Sequence, residues 1–233
     1  MENNAAKRQS TVSAKPRGRP ARISRDMILD AAAALAEATP DELPSLNGIA
    51  RALKISPMAI YTYFASKDEL LQALSDRLLA DFTLDIAPDT EPLDVVIRWA
   101  QAMRAHMLAC PQLINVLVWE GGHTSIAWLE RGMVVSEALG RMGLSGEAHA
   151  RATLWVWHVA MGAINVELRN RNVPQNLTPQ ELASLDPVTR GQVEQMLGLT
   201  SLPVFAEEFF AYQLDRMCEG LRAMQGNMAA AQR

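Results

Sequence analysis

From Ser24 onward the apolar residues of this 233-residue chain recur at intervals of three and four, and no stretch keeps the two-residue alternation of a half-buried strand. A chain patterned this way buries its apolar stripes by packing helix on helix, so the expected class is all-α. The bias toward Ala, Leu and Met over Val, Ile, Thr and aromatics points the same way. Apolar residues make up 49% of the sequence and charged residues 21%, enough for a sizeable core.

Caps and breakers divide the pattern into segments. Ser24 heads a first helix with Ile28, Ala31, Ala32 and Leu35 on one face, ending at Thr39-Pro40. Ser45 caps a short second helix with the stripe Leu46, Ile49, Ala50 and Leu53, which ends near Lys54. Ser56-Pro57 opens a third, because the N–H that proline lacks would be unsatisfied at the first helical position anyway. Ala59, Ile60 and Phe64 give it an inner face. Ser66, with Asp68 and Glu69 in the first turn, starts a fourth helix expected to run to about Ile86.

Beyond the break at residues 88–92, helical period covers roughly 92–109, 111–119, 123–142, 146–170 and 203–225. Pro174, Pro179, Pro187 and Pro203 make the stretch 172–202 a connection with one or two brief helices. The expected organisation is a disordered basic arm over residues 1–22, a small head over 23–68 and a larger helical body over 69–233.

A net charge of -4 conceals a strong asymmetry. Residues 1–25 hold Lys7, Arg8, Lys15, Arg17, Arg19, Arg22 and Arg25 against Glu2 alone, so they carry +6 and the rest carries -10. Such an arm suits a polyphosphate. Read as a tail it aids solubility; the sequence Arg17-Gly18-Arg19-Pro20 favours entry into a narrow minor groove. Cys110 and Cys218 lack metal-type spacing and read as reduced thiols, which fits a cytoplasmic protein. Neither an export signal nor a membrane span is expected.

Ser45 to Tyr61 has the form of a helix-turn-helix: two short helices around a tight turn, with the small Ala50 facing the partner helix. Ile55 plugs the turn and Ile60 packs the second helix on the first. That leaves Pro57, Met58, Ala59, Tyr61 and Tyr63 toward the exposed side, where such motifs face DNA.

The wider segment SLNGIARALKISPMAIYTYFASKDELLQAL, preceded by RGRPARISRDMILDAA, resembles the N-terminal signature of TetR-family regulators over about residues 17–80. The resemblance implies a three-helix DNA-binding head joined to a helical ligand-binding and dimerisation body. It implies that Pro57, Met58 and Ala59 lie nearest base edges on a recognition helix from about Ser56 to Phe64. Ser45, Ser56, Tyr61, Tyr63 and Lys67 would meet the DNA backbone, with Arg17, Arg19 and Arg22 of the arm as further contacts. Double-stranded operator DNA, a small-molecule effector and a second copy of the chain are the implied partners.

The sequence departs from that family at Lys54, which stands where a turn glycine is common, so a non-glycine residue has to take a positive φ. Pro57, Met58 and Ala59 also offer no bidentate donor, so readout would rest on thymine methyls and DNA shape.

In the body, Trp99, Met103 and His106, then Trp119 and His123, then Trp155, His158 and Met161 offer large side chains at helical spacing, and these eight are the candidate ligand contacts. Any of them can equally be core. The family resemblance places about 146–170 and 203–224 in a dimer interface, with Leu154, Trp157, Met161, Ile164, Phe205, Phe209, Tyr212 and Met217 available to seal it. No HExxH, GxSxG, P-loop or GxGxxG occurs and the four histidines are scattered, so neither catalysis nor a metal or cofactor is expected. A DNA-bound architectural protein without a sensor is the other alternative, and ligand-induced thermal stabilisation would separate the two.

Overall fold

The computed structural model describes residues 23–117, 125–171 and 177–231. These residues form eleven helices and no strand. Four build the head: α1 (Arg25–Ala38), α2 (Leu46–Leu53), α3 (Pro57–Ile60) and α4 (Lys67–Leu78). The body continues with α5 (Pro92–Ala109), α6 (Leu113–Leu117), α7 (Ile126–Arg141), α8 (Gly146–Asn170), α9 (Pro179–Ser184), α10 (Pro187–Thr200) and α11 (Phe205–Ala231).

Local chemistry sets most helix starts. The hydroxyls of Ser24, Ser45 and Ser66 accept hydrogen bonds from the amides of Met27, Gly48 and Glu69, each satisfying one of the donors a helix start leaves open. Ser56 occupies the N-cap of α3 without making such a bond. Four elements depart from expectation. Helix α4 ends at Leu78 instead of near Ile86, because Leu79 and Phe82 turn into the body core. The third helix covers four residues, and hydrogen-bonded turns carry the chain on to Phe64. The stretch expected to hold brief helices contains the 14-residue α10, and α11 runs past residue 225 to Ala231.

Two apolar cores form. Ile28, Ala32, Ile49, Ile60, Phe64, Leu70, Leu71 and Leu74 fill the head, and Leu79 begins the body core, which α5, α7, α8 and α11 enclose. The division between cores therefore falls at the end of α4, where Leu78 packs against both. Helix α6 serves both: Leu113 and Ile114 lie in the body core and Val116 in the head core. Between them Asn115 Nδ2 donates to the Pro40 carbonyl in the α1–α2 connection at 2.7 Å.

Polar contacts tie α4 to its neighbours. Asp76 accepts from the Ser125 hydroxyl and from the Ala127 amide at the start of α7. Arg77 pairs with Asp30 on α1, and His106 of α5 contacts the Leu78 carbonyl at 2.9 Å. The helix joining head to body is thus held from three sides.

Candidate nucleic-acid interface

The recognition tip is a short rigid wedge. Ile60 and Phe64, each 1% exposed, root α3 in the head core, which turns its other side outward. There Met58 is 72% exposed and Tyr61 44% exposed, with Ser56 and Pro57 also exposed and Ala59 partly covered. Met58 is among the most exposed large apolar residues of the described chain, a placement that suits an apolar surface such as a thymine methyl better than water.

The turn ahead of this wedge takes the conformation the sequence demands. Lys54 adopts φ 56° and ψ 43°, the left-handed region, and its amide donates to the carbonyls of Ala50 and Arg51. A lysine there carries roughly 1 kcal/mol of backbone strain. Gly48 permits the close approach on the other side of α2, since a Cβ there would lie 3.1 Å from Ser45 Oγ.

What fixes the wedge is a clamp that sequence reasoning missed. Arg25, counted in the basic run, points back into the head. Its guanidinium donates to the Tyr63 carbonyl at 2.7 Å and to Glu69 Oε1 at 2.8 Å, and stacks 4.1 Å from the centre of the Phe64 ring. Glu69 Oε2 accepts from the Ala65 amide at 2.6 Å. In the expected capping box this carboxylate would instead reach the Ser66 amide. Tyr63 also differs from its expected role at the DNA backbone: its hydroxyl donates to the Ile23 carbonyl at 2.7 Å, so the ring is partly buried and braces the start of α1. The signal for the clamp is the spacing of Arg25 and Glu69 at the first turns of two helices, and it becomes readable once α1 and α4 are known to pack together.

The Ala65 amide, and after it Arg25, holds the Glu69 carboxyl below its ordinary value of 4.5. A depressed folded-state pKa contributes stability that is fully present above the ordinary value and lost as pH falls through the folded value. Acid unfolding of the head is therefore expected to steepen below pH 4.5, and E69Q should flatten that limb in a circular-dichroism pH titration. An identical acid limb in E69Q would remove Glu69 from the clamp.

Lys67 is exposed at the first position of α4. A cation there opposes the helix dipole, which favours the acids that follow at Asp68 and Glu69. Helix stability does not account for this lysine. The described head as a whole is not basic: residues 23–68 hold Arg25, Arg51, Lys54 and Lys67 against six acidic side chains. Arg17, Arg19 and Arg22 lie outside the described residues.

With that geometry in place the comparisons can be read. Residues 28–74 match the model of the family described as bacterial regulatory proteins, tetR family. The head is thus similar to the DNA-binding segment of that family. Beyond this head, the whole chain is similar in fold to solved regulators. BioQ of Mycobacterium smegmatis shares 18% identity at a TM-score of 0.66, covering 87% of this chain and 99% of its own. BioQ with its double-stranded DNA operator gives 19% and 0.62, covering 86% and 98%. The Streptomyces coelicolor TetR family protein ActR in complex with (S)-DNPA gives 21% and 0.67, again covering 86% and 98%. No curated protein matches the sequence.

Behind the head, the body distributes its candidate ligand contacts unevenly. Trp119 and His123 lie outside the described residues. Trp99 and Met103 are fully buried in the body core, and Trp99 Nε1 donates to the Arg131 carbonyl at 2.8 Å. His106 is engaged with Leu78 and packs edge-on to Phe82. Trp155 wedges against Gly220 of α11, where a Cβ would lie 2.5 Å from its ring. His158 is exposed and bonded to the Leu154 carbonyl of its own helix, while Met161 is partly buried. Gly162, one turn beyond His158 on the same helix, faces open space. These residues do not converge on one site.

What does converge is an aromatic cluster of Trp99, Trp128 and Trp157, with ring centres 6.3 and 6.1 Å apart. Trp157 lies over Gly132 of α7, where a Cβ would come within 2.6 Å of the ring, and its buried Nε1 has no hydrogen-bond partner among the described residues. Elsewhere a polar cleft of about 570 Å³ opens between the start of α5, the end of α7 and α11. Glu91, Asp94, Arg141 and Arg222 are in its lining, and none of the six described candidate contacts is.

The expected dimer seal is also split. Leu154, Phe209 and Tyr212 are 51%, 44% and 55% exposed, whereas Ile164 and Met217 are buried in the subunit's own core. Trp157 serves the aromatic cluster, and Phe205 stacks on Phe209 at 5.1 Å.

Proposed function

We propose that the chain is a ligand-responsive transcriptional regulator, a dimeric repressor that releases a palindromic operator when a small apolar or aromatic molecule binds the body. The observation that carries this reading is the recognition wedge: Ser56, Pro57, Met58 and Tyr61 are presented outward by a scaffold that the Arg25 clamp fixes from behind. Fixed geometry is what a helix needs to enter a major groove, and two such wedges about 34–36 Å apart in a dimer reach successive grooves. The solved complex of BioQ with its operator supports the DNA half, and the ActR complex with (S)-DNPA supports the ligand half.

Roles divide by chemistry. Met58, Pro57 and Ala59 contact base edges, and Ser45, Ser56, Tyr61 and Lys67 contact phosphates, setting register without reading sequence. In the body, Trp157, with its unused indole N–H and Trp128 edge-on beside it, suits an aromatic effector that carries a hydrogen-bond acceptor. Reducing cytoplasm is the compartment that fits; no helix among the described residues is long and apolar enough to cross a membrane.

The test is recovery of bound fragments from a random DNA pool, followed by titration of the recovered site with variants. A palindrome is expected. K67A and Y61A should each weaken binding on every sequence to a similar degree, and K67A, which removes a cation, should also lower the salt slope by about 1. K67A should do so without destabilising the fold, because it removes a charge that opposes the dipole of α4. A shift in base preference without general weakening would count against backbone contact.

A further inference from the structure

Helix α10 has fourteen residues and none of them is buried. A helix of that length is marginal in water unless tertiary packing covers one of its faces. Yet this one is built with care. Asp186 caps its start by accepting from the Val188 and Thr189 amides. Arg190 then donates to the carbonyls of Leu182, Ala183 and Leu185, locking α9 and α10 into one corner. A capping box between Thr178 and Glu181 fixes the start of α9.

The helix has two unlike faces. Arg190, Val193 and Leu197 are partly covered, whereas the opposite stripe of Val188, Gln192, Gln195, Met196 and Leu199 is exposed and carries no charge. Val188 is 71% exposed, and Met196 and Leu199 are each 57% exposed. The stripe runs on along the chain through exposed Leu202 and Val204 into the exposed aromatic run of α11.

Size favours a second copy of this chain as the occupant. A standard interface buries about 800 Å² per partner, somewhat over half of it apolar. Helices α8 and α11 expose five large apolar side chains, Leu154, Val166, Phe209, Tyr212 and Met224. Half-exposed side chains of this kind supply roughly 50 Å² each, on the order of 250 Å² together and well short of that need. The α10 stripe and its exit add five more and close most of the gap. An uncharged stripe can also meet its own copy, or the exposed apolar side chains of α8 and α11, without opposing like charges.

We infer that α9 and α10 form an arm that reaches across the dimer and packs its Val188, Met196 and Leu199 stripe on α8 and α11 of the partner subunit. The inference rests on the dimer reading above and adds a specific exchanged element to it.

Two measurements on the full chain test it. A photo-crosslinking amino acid at position 196, in a dimer reassembled from isotope-labelled and unlabelled subunits, should give mixed-isotope crosslinks to α8 or α11. The triple variant V188S/M196Q/L199Q should raise the dimer dissociation constant about tenfold or more in sedimentation equilibrium, with both subunit cores still folded because no residue of α10 is buried in them. A wild-type dimer that gives crosslinks within one subunit alone, or a triple variant that dimerises as tightly as wild type, overturns the arm and leaves the dimer standing. Wild-type protein that stays monomeric at micromolar concentration overturns both.

Discussion

Removal of residues 1–22 is expected to flatten the salt dependence of operator binding more than any other single change. The arm holds six Lys and Arg side chains against Glu2, whereas the described head carries more acid than base. Under the proposed function, attraction to the phosphate backbone would be delegated to the arm. Each phosphate neutralised on B-DNA contributes about 0.9 to the slope of log affinity against log salt. Loss of six such contacts lowers the slope by up to about 5 per subunit, so a fourfold rise in salt then costs up to about a thousandfold less affinity. The measurement is a fluorescence-anisotropy titration across salt for both lengths of chain. Equal slopes would reduce the arm to a solubilising tail.

The second large effect is reciprocal. A ligand shifts a two-state equilibrium only through its differential affinity for the two states. With a coupling of typical size, about 1–3 kcal/mol, an effector should weaken operator binding by about 5- to 150-fold. Operator DNA must then weaken effector binding by the same factor. The cluster of Trp99, Trp128 and Trp157 provides an intrinsic fluorescence signal for that titration. W157F keeps an aromatic ring over Gly132 but removes the unpartnered N–H, so an effector that uses this donor should bind it less tightly while operator affinity without effector stays the same. Equal effector affinity with and without operator would sink the release mechanism even if an effector binds.

The parts of this molecule that were legible in the sequence are those decided within a few residues. Ser24, Ser45 and Ser66 act as caps because a hydroxyl three residues ahead of an open amide has little else to do. Lys54 takes its positive φ because the turn between α2 and α3 allows no other path. The misreadings share an opposite cause, since the deciding partner lies far away in the chain. Tyr63 reads as a DNA-side residue from its neighbours, yet its hydroxyl bonds the Ile23 carbonyl, and Arg25 counts with the basic run of residues 1–25 although its partners are Tyr63 and Glu69. Likewise α4 stops at Leu78 because the body core claims Leu79 and Phe82, which no helical period reveals. In the body, Trp99 and Trp155 have the same spacing as pocket residues would have. Only the carbonyl of Arg131 and the bare backbone of Gly220 distinguish them as core and helix-packing groups.

Helix α6 has a consequence for how such a protein can be taken apart. Val116 completes the head core from a position more than forty residues beyond the end of α3, and its neighbours Leu113 and Ile114 complete the body core. A head severed after α4 would carry an unfilled apolar hollow and lose the Asn115 bond that pins the α1–α2 connection. The two halves should accordingly melt in one calorimetric transition, without the two steps that independent domains would give. Recombination that grafts a foreign sensor onto this head would have to bring a helix able to fill the same hollow. Modularity at the level of sequence motifs is thus not modularity at the level of folding: the exchangeable unit is the head together with the five-residue α6.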